Sequence, residues 1–178
     1  MFGGSFNPAH EGHLHVASTA LQRLQLDWVW WIVARGNPLK SSHGDFSARL
    51  ASARTMAAAH PRMRILDLEA QLNLTYTVDV LAKLRARHRT DRFVWIMGSD
   101  NLASFHHWRD WQSIARSVPI AIVARPGQRA GNSPFERRFA QNRCPEHRSA
   151  TLADHPAPAW TFLKAPLNAQ SSTKLRKA

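Results

Sequence analysis

The chain has 178 residues, a single cysteine and a formal net charge of +12, from 24 Lys and Arg against 12 Asp and Glu. Its length suits one domain over residues 1–178, and its composition excludes a disulfide-rich secreted framework and any apolar run near the roughly 20 residues of a membrane span. We therefore expect a cytoplasmic protein without a signal peptide, and its basic charge predicts an anionic partner or a basic surface.

The first element with chemical character is the glycine-rich stretch of residues 3–8, GGSFNP. Apolar residues then recur at spacings of three and four over residues 14–24, which predicts a helix. His10 and His13 therefore lie on or just before the first helical turn, where free N–H groups and the positive end of the helix dipole attract anions. The pattern predicts a phosphate site in which both imidazoles donate hydrogen bonds.

Two other interpretations of this stretch remain open. A Gly-Gly pair before a helix also occurs in tight loops that bind nothing. The His-x-x-His spacing also occurs in metal sites, although a structural zinc site needs about four ligands and the only cysteine, Cys144, is far away in sequence.

The rest of the chain alternates between predicted strands and helices. Strands are expected over residues 28–34, 62–67, 93–98, 118–124 and 159–164, where β-branched and apolar residues cluster. We expect the tryptophans of the first of these strands to be packing residues. Helices are expected over residues 46–60, with their arginines on the surface, and from residue 74 onward, with Thr75 or Thr77 as N-cap. Residues 128–158 are predicted to form an irregular segment with a short helix near residues 134–141.

Polar groups that follow these strands are candidate binding groups, because loops leaving buried strands usually bind ligands in open α/β sheets. Lys40 offers a mobile charge for phosphate in the loop after residues 28–34. Asp100, after the central strand, either accepts ribose hydroxyls or caps a helix. Residues 105–111 crowd aromatic rings, imidazoles and charges together, and a flat aromatic ring stacks well on a ligand ring. The basic run over residues 85–92 is interpreted as a solvated helix end.

A last polar cluster lies at the end of the chain. Ser171, Ser172 and Thr173 stand at a predicted helix start, and Arg176 follows one turn later. The cluster predicts either an anion-binding helix terminus or a simple capping group.

These motifs together resemble the nucleotidylyltransferase superfamily in its bacterial nicotinate-nucleotide adenylyltransferase form. The resemblance rests on GGSFNP with HEGH at residues 3–13, TYT at 75–77, GSD at 98–100, RPG at 125–127 and SSTKLR at 171–176. These segments stand in the order of the family, so the resemblance covers nearly the whole chain. It implies a Rossmann-like, doubly wound parallel sheet of about five to six strands with helices on both faces.

The resemblance also implies a role for each motif residue. The residues implied in catalysis are His10, His13, Lys40 and Arg176. Those implied in ATP binding are Gly3, Gly4, Ser5, Phe6, His10, His13, Arg125, Ser171, Ser172, Thr173 and Arg176. Those implied around the pyridine nucleotide are Tyr76, Thr77, Gly98, Asp100, Trp108 and Arg109, with Trp108 stacking on the pyridine ring and backbone N–H groups of Thr77 and Arg109 meeting its carboxylate.

The chain departs from the family pattern in two places that bear on the site. Asn37 and Leu39 replace a proline and the histidine of a Pro-Pro-His-Lys segment, which leaves Lys40 as its cation. Only Met1 and Phe2 precede the Gly-Gly pair, where the family has a longer apolar strand, so we expect either a misassigned start or a shortened first strand.

The implied reaction is adenylyl transfer from ATP to nicotinate mononucleotide, giving nicotinate adenine dinucleotide and pyrophosphate. Because the attacking phosphate is already anionic, no enzyme nucleophile is required, and Mg²⁺ is expected to enter with ATP. The rival acceptors are nicotinamide mononucleotide and phosphopantetheine. A rival of another class, a non-catalytic nucleic-acid binder, lacks any visible binding motif. The oligomeric state is not predicted.

Overall fold

The structure is a computed structural model that describes residues 1–36, 44–126, 131 and 133–166. The strands are β1 (Phe2–Gly4), β2 (Val29–Val33), β3 (Met63–Leu66), β4 (Trp95–Gly98), β5 (Ile120–Val123) and β6 (Trp160–Leu163). The helices are α1 (Glu11–Arg23), α2 (Phe46–Ala57), α3 (Leu68–Gln71), α4 (Thr77–Arg87), α5 (Leu102–Phe105), α6 (Trp111–Ser117) and α7 (Pro134–Arg138). Short 3₁₀ helices span Ser99–Asn101, Ala140–Asn142 and Glu146–Asp154.

The six described strands form one parallel sheet in the order β3-β2-β1-β4-β5-β6. This is the strand order of dinucleotide-binding doubly wound sheets, in which the direction of winding reverses between the first and fourth strands. The predicted fold class is confirmed. In such a sheet ligands bind outside the carboxyl ends of the strands at this reversal, which lies here between β1 and β4.

Alternation along each strand builds a core on both faces of the sheet. Ile96, Ala121 and Val123 pack with α1 and α2, whereas their neighbours Met97, Ile120 and Ile122 pack with α4, α5 and α6. Strands that are buried on both faces are apolar at almost every position. This continuous pattern is why the strands could be recognised in the sequence. Within the described residues, no helix combines the length and the apolar character needed to cross a bilayer.

Most element boundaries are within two residues of the prediction, and the differences have physical causes. Trp28 was assigned to a strand as a packing residue, but β2 begins at Val29 and the Trp28 side chain is exposed, with the Arg64 guanidinium 4.5 Å from its ring centre. Trp31 is fully buried as expected. The N-cap of α4 is Tyr76, without a side-chain capping bond, so neither Thr75 nor Thr77 caps this helix.

The expectation that the arginines of α2 lie on the surface is wrong for one of them. Arg54 is exposed, but Arg49 is only 3% exposed. Arg49 lies four and eight residues before Ala53 and Ala57, and both alanines are buried. Helical spacing therefore places Arg49 on the face of α2 that packs against the rest of the protein.

Candidate active site

The segment from Ser5 to His13 leaves β1 at the winding reversal and leads into α1. The peptide bond between Asn7 and Pro8 is cis, and His10 is the N-cap of the helix. The Gly12 N–H donates to Nδ1 of His10 (3.0 Å), and the His10 N–H donates to Nδ1 of His13 (3.3 Å). The two imidazoles thus form a reciprocal capping box, a role usually filled by Ser or Thr with Glu.

This capping arrangement fixes the donor atom of each imidazole. A neutral imidazole that accepts at Nδ1 carries its proton on Nε2. Burial, together with the charge of Arg125, lowers the pKa of His10 to about 4, so His10 is neutral at pH 7. The Nε2 N–H group of each ring is therefore the donor that this helix terminus can present to an anion. The predicted placement of His10 and His13 is confirmed.

Gly3 and Gly4 are required for space and not for conformational freedom. Neither adopts a positive φ; the positive value in this segment belongs to Phe6, at 46°. A Cβ on Gly3 would lie 2.3 Å from an atom of the Trp95 ring, and a Cβ on Gly4 would lie 3.0 Å from the Phe6 ring. The glycines let these two aromatic rings pack under the loop.

Phe6 contributes its ring to the core beneath this segment. The ring is 1% exposed, stacks on Trp31 with ring centres 5.0 Å apart, and meets the His13 ring edge-on at 4.9 Å. Of the predicted ATP-binding residues, Phe6 therefore has only its backbone to offer a ligand. Its side chain instead supports the imidazole of His13.

The residues after β4 and β5 meet beside this loop. The Arg125 N–H donates to Oγ of the fully buried Ser99 (2.8 Å), and the Arg125 Nε lies 4.0 Å from Oδ1 of Asp100. Gly98 leaves room for this carboxylate, because a Cβ there would lie 2.3 Å from Oδ1 of Asp100. Asp100 is inside the 3₁₀ helix, so it is not a helix cap. The structure therefore brings Asp100 and Arg125 together, and the charge of Arg125 also lowers the pKa of His10.

Tyr76 and Arg109, predicted on separate segments, are in contact. The Arg109 guanidinium lies 4.6 Å from the centre of the Tyr76 ring, in cation–π geometry. Thr77 begins α4 next to Tyr76. The structure therefore brings three of the predicted acceptor-site residues to one place.

Trp108 is half-buried beside this group. Its ring meets Phe105 edge-on at 5.3 Å and Trp95 at 6.3 Å. Trp95, whose ring covers Gly3, connects the glycine pair to Trp108. The sequence identified Trp95 only as a strand residue and gave no sign of this bridging position.

Arg49 and Glu69 are buried charged residues at the same edge of the sheet that sequence reasoning missed as functional candidates. Arg49 donates to the carbonyl oxygens of Ser5 (2.8 Å), Ala34 (2.6 Å) and Arg35 (2.9 Å). Glu69 accepts from the Arg35 N–H at 2.8 Å, and burial raises its pKa to about 7. The helical spacing of Arg49 was an available signal, but nothing local marks Glu69.

Five predicted site residues lie outside the described residues. They are Lys40, Ser171, Ser172, Thr173 and Arg176. Among the residues that are described, no three His, Cys, Asp or Glu side chains are grouped closely enough to hold a metal ion. The capping bonds at both Nδ1 atoms give His10 and His13 a role that does not need a metal.

Comparison with known proteins supports this architecture along the whole chain. Residues 1–178 match the family described as cytidylyltransferase-like. The chain is 52% identical over 180 residues to a probable nicotinate-nucleotide adenylyltransferase of Caulobacter sp. (strain K31), covering 99% of this chain and 95% of that protein. It is 47% identical over 182 residues to one of the same name from Rhizobium meliloti (strain 1021), covering 100% of this chain and 96% of that protein.

Solved structures agree on the fold. Nicotinic acid mononucleotide adenylyltransferase of Plasmodium falciparum, complexed with NaAD, superposes with a TM-score of 0.77 at 18% identity, covering 99% of this chain and 80% of that one. The same protein complexed with APC gives a TM-score of 0.74, again at 18% identity and the same coverage. At this identity the likeness shows the fold alone.

Proposed function

Because the chain belongs to the cytidylyltransferase-like family, and within it to the nicotinate-nucleotide adenylyltransferases, we propose that it transfers the adenylyl group of ATP to nicotinate mononucleotide. The phosphate oxygen of the mononucleotide attacks the α-phosphorus of ATP, and the bond from that phosphorus to the bridging oxygen of pyrophosphate breaks. The products are nicotinate adenine dinucleotide and pyrophosphate, a step in NAD biosynthesis. The whole of residues 1–178 serves this reaction as a single domain.

The capping box of His10 and His13 is the main observation that supports this proposal. It occupies both Nδ1 atoms, so that the neutral imidazole of His10 and the imidazole of His13 offer Nε2 N–H donors at a helix N-terminus. Donors held in advance at the place where charge develops stabilise a transition state without reorganising. Since the attacking phosphate is already anionic, the enzyme needs no nucleophile and acts by aligning two polyanions. We assign the α-phosphate to His13 and the neighbouring phosphates to His10.

The backbone of residues 3–6 and the side chain of Arg125 complete the described part of the ATP site. Lys40, Ser171, Ser172, Thr173 and Arg176 join them in this proposal on the basis of their motifs alone, as cations and hydroxyl donors for the triphosphate.

The second substrate occupies the side of the site that contains Tyr76, Arg109 and Trp108. Trp108 stacks on the pyridine ring, and the backbone N–H groups of Thr77 and Arg109 bind its carboxylate. Asp100 accepts a ribose hydroxyl, and Gly98 gives it room to approach. The contact between Tyr76 and Arg109 supports this assignment, because it joins the two chain segments on which the pocket depends.

Magnesium enters with ATP as a metal–nucleotide complex. Mg²⁺ keeps several waters and is commonly bound through substrate phosphates. In this proposal the ion is held mainly by phosphate and water. Reaction in the cytoplasm fits a chain with one cysteine, Cys144.

Release of pyrophosphate from ATP and Mg²⁺ tests the proposal. The assay is run with nicotinate mononucleotide, with nicotinamide mononucleotide and with phosphopantetheine. A strong preference for the acid mononucleotide is expected. Preference for the amide would keep the chemistry but remove the roles given to Thr77 and Arg109, and no turnover with any acceptor would reject the proposed reaction.

A further inference from the structure

The N-terminal part of helix α2 contacts the loop between β1 and α1 at several points. Arg49 donates to the Ser5 carbonyl (2.8 Å), and Ser52 accepts from the Ala9 N–H through its hydroxyl (3.2 Å). Between these points Gly44, just before α2, packs on the Asn7 side chain, because a Cβ there would lie 2.8 Å from Oδ1 of Asn7. The loop that delivers His10 and His13 is therefore held from one side by a single helix.

The same guanidinium also holds the segment that follows β2. Its Nη1 donates to the Ala34 carbonyl (2.6 Å) as well as to Ser5, and its Nη2 donates to the Arg35 carbonyl (2.9 Å). A guanidinium can do this because its donors are fixed in one plane, whereas an ammonium is a point charge on a flexible stem. Arg49 thus sets the distance between the chain leaving β1 and the chain leaving β2.

Glu69 extends this connection to the end of β3. Its Oε2 accepts from the Arg35 N–H at 2.8 Å, and its carboxylate is 5% exposed. Burial lowers the pKa of Arg49, and the negative charges of Glu69 and Asp45 act in the opposite direction. The Arg49 guanidinium and the Glu69 carboxyl therefore both bond the backbone of Arg35, the first at its carbonyl and the second at its N–H.

Arg49 itself is placed to act through the loops and not on the substrate. It is 3% exposed, both of its terminal nitrogens bond backbone carbonyls, and its guanidinium lies 5.3 Å from the centre of the Phe46 ring. Its Nε is buried as well, so a guanidinium whose terminal nitrogens already bond carbonyl oxygens offers no surface to a phosphate.

We propose that Arg49 is a positioning residue for adenylyl transfer, which fixes the loop bearing His10 and His13 against the segments that follow β2 and β3. This inference rests on the proposed function and adds to it a residue that does not touch substrate. A reaction that depends on alignment is sensitive to this kind of support, since a displacement of about 1 Å can cost about 10²-fold in rate.

Kinetics of Arg49→Met test the role, with Arg54→Met as the matched control on the exposed face of the same helix. We expect Arg49→Met to lower kcat about 10- to 100-fold while the KM for ATP changes less than about three-fold. Arg54→Met should behave as the wild type. Equal kcat values in the two variants would overturn the proposal.

Arg49→Lys tests whether a conservative substitution restores part of the kcat that Arg49→Met loses. It keeps the charge and most of the length but loses the planar fork. We expect kcat to fall between the wild type and Arg49→Met. If Arg49→Met does not fold, the comparison of Arg49→Lys with Arg54→Met decides, and a wild-type kcat in Arg49→Lys contradicts the proposal.

Amide hydrogen exchange gives a readout that does not depend on the activity. In Arg49→Lys the amides of Ala9 and Arg35 should exchange faster, whereas the Ile120 amide, bonded to the Ala159 carbonyl in the sheet (2.9 Å), should keep its wild-type rate. Uniform acceleration would show a loss of global stability and reject a positioning role, as would no change. The exchange measurement needs no turnover. If the wild type proves inactive, the proposed function fails, and the exchange rates still show whether Arg49 holds the two loops.

Discussion

The two halves of the candidate site hold their charged groups differently. The first half, formed by the segments after β1, β2 and β3, contains Arg49 and Glu69, which are 3% and 5% exposed and bonded to backbone. The second half, formed by the segments after β4 and β5, contains Asp100, whose side chain is 57% exposed. Arg109, in the segment between α5 and α6, is also 57% exposed and belongs to the second half.

This difference indicates that the two halves of the candidate site are suited to different tasks. In the first half Arg49 and Glu69 are bonded to backbone groups, so the described groups left for a ligand include backbone N–H groups and the imidazoles of His10 and His13. In the second half Arg125 is buried, but Asp100 and Arg109 are close to water, where exchanging one partner for another costs little. The first half suits the alignment of phosphates, and the second suits the selection of the acceptor.

The largest effect should come from the imidazole of the first half. His13→Ala removes an Nε2 donor and should lower kcat about 10²- to 10³-fold, the usual loss for one such donor. It also removes the acceptor for the His10 N–H, which should cost about 1 kcal/mol of stability. Steady-state kinetics and circular dichroism separate the two losses. His15→Ala, two residues along the same helix, is the control, and near-normal turnover in His13→Ala would contradict the role of His13.

A second prediction tests the packing beneath the glycine pair, where the two halves meet. Gly3→Ala places a methyl group in the space of the Trp95 ring and should destabilise the protein by about 1–3 kcal/mol. Denaturant unfolding measures this loss. In the double variant with Trp95→Phe, whose smaller ring vacates that space, the cost should be less than the sum of the single costs. Additive costs would mean that the two residues do not compete for space.

The buried carboxylate of the first half predicts a pH dependence. The raised pKa of Glu69, about 7 against 4.5, means that the folded protein holds its proton more tightly than the unfolded chain. Its contribution to stability is therefore fully present below about pH 4.5 and is lost as pH rises to about 7. Glu69→Gln should lack this loss, which is about 3 kcal/mol for a shift of about 2.5 pKa units at about 1.4 kcal/mol per unit.

Urea unfolding of the wild type and of Glu69→Gln at several pH values between 4.5 and 7.5 measures the difference. His10 has the opposite sign: its lowered pKa of about 4 costs stability as pH falls from 6.5 to 4. That contribution is common to both proteins and cancels in the difference. Curves that stay parallel across this range would show that the Glu69 carboxyl titrates normally.

The smallest effect is expected in the second half. Trp108→Ala should raise the KM for nicotinate mononucleotide by about two- to ten-fold, as expected for losing about 0.5–1.5 kcal/mol of aromatic stacking, with a smaller change in kcat. Trp111→Ala is the matched control, because Trp111 packs on Phe105 and Phe139 and has no assigned ligand. Equal KM changes in both variants would reduce the Trp108 role to packing.

The predictions from local patterns were the most successful. Runs such as residues 93–98 and 118–124 identified β4 and β5 to within two residues, because a strand buried on both faces is apolar throughout. The helix after the glycine pair, with His10 and His13 at its start, was located because helical periodicity is local. The order of motifs along the chain indicated the family before any contact between them was known.

Other features depended on contacts between distant segments and could not be deduced from the sequence. The Gly3 contact with Trp95 joins residues on neighbouring strands, and Tyr76 meets Arg109 only after folding. Glu69 lies in a polar-looking segment, and its burial follows from the packing of α3 at the edge of the sheet.

By itself, the sequence determined the alternation of strands and helices, the placement of two imidazoles at a helix start and the family. The first two depend on residue spacing within single segments, and the family depends on the motifs and their order along the chain. The tertiary structure decided which charged side chains are buried and which are exposed: it turned Arg49 inward onto three carbonyls and left Asp100 and Arg109 near water. The reason is that the environment of a charged side chain depends on the elements packed against it, and these are distant in sequence.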